Sequence, residues 1–212
     1  MFDQLSLDKL WDFSDAAGSE ARFRAAMDAD GMAPADAAEL ATQLARALGL
    51  QGRFGEAAAV LDAVAPHEPV VAVRIELERG RLFNSSGHGA AAIAHFELAA
   101  ALAHANGLHF LQVDALHMLA IADTERSAHW TAAGLAAVDA ATGNPEQVRR
   151  TARWRVGLLN NRGWSLRDAG DDDGAVAAFR GALAAALEVG TAEQQEYARQ
   201  ALDEAQAAAD EK

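Results

Sequence analysis

No cysteine occurs among the 212 residues, which excludes disulfides, thiolate metal sites and thiol nucleophiles. Only four prolines are present, so little interrupts a helix. β-Branched residues never run longer than the pair Val70–Val71, which leaves no strand pattern to compete. Positive charge is also scarce: Lys9 and Lys212 are the only lysines, and the net charge is −13. A nucleic-acid binder neutralises phosphates with lysine and arginine, so that class is disfavoured. Docking on an anionic membrane is disfavoured for the same reason, and no segment approaches the roughly 20 apolar residues of a span. The first residues, MFDQLSLDKLWDF, carry acids and no apolar h-region, so they do not read as a signal peptide. A cytoplasmic protein is the expectation.

Catalytic and metal signatures are missing as well. The histidines His67, His88, His95, His104, His109, His117 and His129 give neither HExxH nor an i, i+4 pair. No GxxxxGK[ST] or GxSxG occurs. Asp171-Asp172-Asp173 lacks the spaced ligands of a calcium loop and suits a helix N-terminus instead. The expectation is therefore a non-enzyme with no catalytic residue, no metal and no cofactor.

What is abundant is alanine, 54 of the 212 residues, within a chain that is 51% hydrophobic. Alanine loses no side-chain entropy on entering a helix. The composition predicts an all-α fold with small residues that let helices approach closely.

A repeat organises the chain around Gly52, Gly87 and Gly170. Seven residues before each stand Ala45, Gly80 and Gly163; four before stand Leu48, Phe83 and Leu166. Five after stand Ala57, Ala92 and Ala175; nine after stand Leu61, Phe96 and Phe179; twelve after stand Val64, Ala99 and Ala182. Each glycine predicts the left-handed end of a first helix, with a second helix starting a few residues later. One such hairpin cannot bury its apolar face alone, so neighbours must stack.

These residues resemble the tetratricopeptide repeat, in the longer-repeat bacterial variety. The family's unit of about 34 residues has small residues at the helix crossing, an aromatic in the second helix and a closing proline. The match is best over NRGWSLRDAGDDDGAVAAFRGAL (161–183), then over Ala41 to Pro69, then over 74–102, and covers roughly residues 20–190. A weaker unit between them aligns VDALHML (113–119) with NNRGWSL (160–166), turns near Asp123 and carries Trp130 near the aromatic position. The resemblance implies a right-handed superhelical α-solenoid of antiparallel helix hairpins. Its expected parts are N-terminal capping helices over 1–33, an array over 34–190 with hairpins at 37–69, 72–106, 108–142 and 148–190, and a C-terminal capping helix over 191–212. Within the caps, 3–13 and 19–30 read as short helices with Ser19 as N-cap, and Thr191 as the cap of the last helix. Pro34 opens the first array helix.

In this family the first helices of successive units line a concave groove that binds protein or peptide. The matching positions here are Gln43, Glu78, Asp114 and Asn161, nine before each turn, and Arg46, Arg81, His117 and Trp164, six before. Three residues apart, the two rows share a helix face. The amides can bond a peptide backbone, and the arginines can hold a carboxylate with their forked donors. Asn161 matches the asparagine of the family's carboxylate clamp, but neither row holds a lysine. The same rows also read as the wet side of a solenoid whose arginines pair with Glu78 and Asp114.

A second candidate is the patch Arg149, Arg150, Arg153, Trp154 and Arg155, because arginine and tryptophan are enriched at binding hot spots. Its bland reading is a helix face whose arginine stems cover apolar neighbours. Trp11 and Phe13 near the N-terminus read either as docking residues or, as the blander reading, as a cover for the open end of the first hairpin. The leading functional expectation is a non-enzymatic protein- or peptide-binding adaptor. The alternatives are a regulator responding to a signal peptide, and a scaffold that self-associates weakly through its arginine-rich helix.

Overall fold

The computed structural model of the chain describes residues 4–210 in backbone and 5–208 in side chain. Residues 1–3 and 211–212 lie outside the described residues. The fold is all-α, an array of antiparallel helix hairpins packed on their sequence neighbours, with no strand among the described residues. None of the described helices is long and apolar enough to cross a membrane. The chain divides into two compact units, residues 1–106 and 107–212.

The first unit holds α1 (Gln4–Asp8), α2 (Ala16–Met27), α3 (Pro34–Leu50), α4 (Phe54–Ala63), α5 (Pro69–Ser85) and α6 (Gly89–Ala105). Its core gathers Leu7, Phe23, Leu40, Leu44, Leu48 and Leu61. The second holds α7 (His109–Ala122), a 3-10 turn (Thr124–Arg126), α8 (Ser127–Asp139), α9 (Pro145–Ala152), α10 (Trp154–Asp168), α11 (Asp172–Val189) and α12 (Ala192–Asp210). Here α10 packs on α7, α8, α11 and α12.

Three hairpins close at the glycines the repeat picks out. Gly52, Gly87 and Gly170 have φ of 74°, 83° and 81°. In each case the residue after the glycine donates its N–H to the carbonyl of Leu48, Phe83 or Leu166, and the glycine donates to the next carbonyl along. This is the Schellman motif, in which a left-handed residue lets the last turn satisfy its own carbonyls. The α7–α8 hairpin lacks the glycine and is closed by Asp123 instead. The Asp123 carboxylate accepts from the Trp130 Nε1 at 2.9 Å, from the Arg126 Nε at 2.6 Å and from the Arg126 backbone N–H at 3.4 Å. The Trp130 bond, then the Arg126 guanidinium, hold its pKa below the ordinary carboxylate value.

Several expected helix ends move. Helix α1 stops at Asp8 rather than running to residue 13, because Leu10 and Trp11 turn back to bond the Leu7 and Asp8 carbonyls. Ser19 is not an N-cap. Asp15 caps α2 by accepting from the Gly18 N–H at 2.8 Å, while buried Ser19 Oγ bridges the backbone N–H and C=O of Asp12. Pro69 opens α5 instead of closing the preceding hairpin; its missing N–H costs nothing at a first helical position. Residues 148–190 begin with two helices, because the chain breaks at Arg153 between α9 and α10. Thr191 does cap α12, in a reciprocal box with Gln194.

The aromatic nine residues after a turn lies on the small residue seven before it. A Cβ built on Gly80 would sit 2.4 Å from the Phe96 ring, and one on Gly163 would sit 2.5 Å from the Phe179 ring. Both rings are fully buried and cannot give way. Helix propensity alone favours alanine over glycine by about 1 kcal/mol. We predict the opposite sign: Gly80→Ala lowers stability by about 1–3 kcal/mol through overpacking, and adding Phe96→Leu recovers part of the loss. Urea unfolding of the unaltered chain and the two variants decides between the two signs.

Candidate functional site

Position along the first helices decides which polar side chains meet. Helices α3 and α5 pack on each other, and they bring together one pair of residues at the same offset from their turns. Glu39 and Arg74, each thirteen residues before its turn glycine, form a buried ion pair at 2.9 Å. A buried charge must be paired, and this one is paired across the repeat. The signal was in the sequence, as opposite charges at one repeat position, although neither residue belongs to the predicted rows.

The predicted rows of the first unit are not an open polar surface. Gln43 is 2% exposed: its Oε1 accepts from the Trp11 Nε1 at 3.0 Å, and its amide donates to the Thr42 hydroxyl. Trp11 is itself fixed by stacking on Phe13 at 4.6 Å and by an edge contact with Phe23 at 5.0 Å. The Arg46 guanidinium lies over both Trp11 and Phe13, at 5.6 and 5.2 Å from the ring centres. Glu78 is also 2% exposed and pairs with Arg81 at 2.5 Å along its own helix. The N-terminal segment thus covers part of the face that Gln43 and Arg46 were expected to offer a ligand. Below it, Glu20 ties α2 to the α3–α4 turn. Its carboxylate accepts from Gln51 at 2.9 Å and Arg53 at 2.7 Å. Gln51 foremost, then Arg24 and Arg53, push its pKa down.

The second unit arranges its residues differently. Phe110, Asp114 and His117 follow one face of α7; Trp154, Gly157 and Asn161 follow one face of α10. The two faces meet. Trp154 lies 5.6 Å from Phe110 and 5.1 Å from His117, ring centre to ring centre. Asn161 Nδ2 stands 3.4 Å from His117 Nδ1. Gly157 faces the imidazole too; a Cβ there would lie 3.4 Å from the His117 ring, at van der Waals contact. The Arg150 guanidinium covers Phe110 at 3.7 Å. Asp114 is buried, whereas His117, Asn161 and Trp154 are half-buried. The Trp154 indole N–H is buried and has no hydrogen-bond partner among the described residues. Trp164 does not join this cluster: it packs edge-on against Phe179 at 4.9 Å in the core beneath α12, with Arg167 over its ring.

The arginine-rich segment is not one positive patch. Arg149 and Arg153 donate to the carbonyls of Glu188 and Val189, which end α11. Cations belong at a helix C-terminus, where carbonyls lack partners. Arg155 pairs with Asp139, and Arg150 is spent on Phe110. Of the predicted patch, only Trp154 and Arg150 contribute to the α7–α10 face. No group of three or more metal-ligating side chains occurs among the described residues.

The Trp11–Gln43 bond gives a direct check on the covered face. Trp11→Phe keeps the ring stack and leaves the buried Gln43 oxygen unpaired, which costs about 1–3 kcal/mol. Chemical denaturation should show that loss; an unchanged midpoint would mean that Gln43 faces water.

No family model matches the sequence, and no curated protein matches it. Among solved structures the chain is similar to the crystal structure of BtubC (BKLC) from P. vanneervenii, at 18% identity and a TM-score of 0.61, over 97% of this chain and 89% of that one. The likeness is one of fold.

Proposed function

We propose that this chain is a non-enzymatic adaptor of tetratricopeptide type that binds a protein or peptide segment, and that the α7–α10 face of the second unit does the binding. One observation carries the reading. His117 and Asn161 are held half-exposed at 3.4 Å from each other, on a wall formed by Trp154 and Phe110. Aromatic anchors beside pre-ordered polar groups are what binding hot spots are made of. The Asn161 amide can bond a peptide carbonyl. The imidazole and the indole offer ring faces to an aliphatic or proline side chain. Because these side chains are already packed, little rotamer entropy remains to be lost on binding.

The net charge of −13 supports a basic or amphipathic partner over nucleic acid or an anionic membrane. The reading moves the binding residues away from Gln43, Arg46, Glu78 and Arg81, which the first unit uses internally.

A peptide array probed with the full chain, followed by anisotropy titration of the best binder, tests this. His117→Ala with Asn161→Ala should weaken binding by about tenfold or more, the loss of one hot spot. Arg46→Ala should leave it within about twofold, a difference worth under 1 kcal/mol. If the double variant keeps its affinity while folded, or if the array yields no binder, the assignment fails.

A further inference from the structure

The second helices of the hairpins are unequal. Counted from their turn glycines, α4 and α6 start at the same place, yet α4 has 10 residues and α6 has 17. The cause is Pro66. The chain leaves α4 at Val64 with ψ of 122°. Two residues on, Pro66 keeps Ala65 before it out of the helical region and has no N–H to bond a carbonyl one turn back, so the helix does not resume. In α6 the corresponding stretch continues, and Ala99 and Ala103 are fully buried. The first hairpin therefore lacks the last two turns of its second helix.

A groove of about 840 Å³ lies open in the first unit, at the C-terminal end of α4. It is walled by the N-terminal half of α3, the end of α4 and the start of α5, with Ala37, Ala38, Ala41, Val60, Val64 and Val71 in its lining. Among the described residues no lysine or arginine lines it, and Glu68 and His67 are its only ionisable residues. The seven missing residues would form a helix about 10 Å long.

Charge indicates what fits there. The lining segments 27–38 and 60–71 carry five acids, Asp28, Asp30, Asp36, Asp62 and Glu68, and no lysine or arginine. Asp62 pairs with Arg79, while Glu68 is exposed in the lining itself and Asp28 and Asp30 are exposed on the segment that follows the lining residue Met27. An apolar slot of small side chains bounded by acids complements a helix with alanine or leucine on one face and basic residues on the others. We infer that this groove docks a basic amphipathic helix from a partner protein, which supplies the two turns that α4 lacks. The site uses other elements than the α7–α10 face and stands or falls separately from it.

The test uses the full chain and a labelled, end-capped helical peptide of about 14 residues, a length at which an isolated helix is marginal. The peptide has leucine and alanine at i, i+3, i+4 and i+7 and lysine or arginine elsewhere. A twin carries glutamate in place of the basic residues. By fluorescence anisotropy the basic peptide should bind saturably, and more weakly at high salt; the acidic twin should not bind. Ala35→Trp, at an exposed lining position of α3, fills the slot and should weaken binding about tenfold or more. Asp30→Lys with Glu68→Lys should do the same by charge. His117→Ala with Asn161→Ala should leave it unchanged. Circular dichroism confirms that each variant is folded. The inference is overturned if the basic peptide does not bind, if the acidic twin binds equally, or if Ala35→Trp retains affinity. It is equally overturned if sedimentation shows a dimer that Ala35→Trp dissolves, which would make a second copy the occupant.

Discussion

A phenyl ring pressed on a bare glycine sets the geometry of two of the hairpins. Phe96 lies on Gly80 and Phe179 on Gly163, at distances that leave no room for a methyl group. The pairing lets the two helices of a hairpin cross closely while a large apolar side chain fills the space beside them. Alanine extends the principle along the second helices, where Ala92, Ala99 and Ala103 of α6 and Ala175, Ala182 and Ala186 of α11 are buried. The α3–α4 hairpin uses Ala45 and Leu61 at the same positions, both buried. Once the crossing is fixed, so is the direction in which each first helix points its polar residues.

Those residues serve two ends. In the first unit they are consumed by structure. Glu39 and Arg74 neutralise each other in the interior, Glu78 holds Arg81, and Gln43 is capped by an indole from the N-terminal segment. Engaged in this way, these groups specify packing, with the Glu78 Oε2 buried and without a hydrogen-bond partner among the described residues. In the second unit the corresponding face keeps His117 and Asn161 half-exposed beside Trp154. The contrast between units, more than the presence of a repeat, is what points to one surface for binding.

The hairpins were legible because turn chemistry is local. Gly52, Gly87 and Gly170 each adopt a positive φ, and the residues at fixed offsets from them carry the packing. The third hairpin was legible only through its register, since Asp123 replaces the glycine by bonds to Trp130 and Arg126 that no spacing rule announces. The site was less legible for a physical reason. A row of polar residues on a helix face does not reveal what folds over it. Trp11 reaches Gln43 across 32 positions, and Arg153 reaches the end of α11 across 36. Trp164 sits in the predicted row, but its partly buried ring packs edge-on against Phe179 at the margin of the core. Pro66 had a readable consequence, a truncated second helix, but the groove it opens depends on how α3 and α5 flank it.

The most direct test of the central contact is a nuclear Overhauser measurement on the full chain with labelled phenylalanine and glycine. The account predicts strong cross-peaks from the Phe96 ring to the Gly80 Hα protons and from the Phe179 ring to those of Gly163. It also predicts that both glycines show Hα shifts displaced by the ring current. Glycine Hα shifts at their unstructured values, with neither cross-peak present, would contradict it.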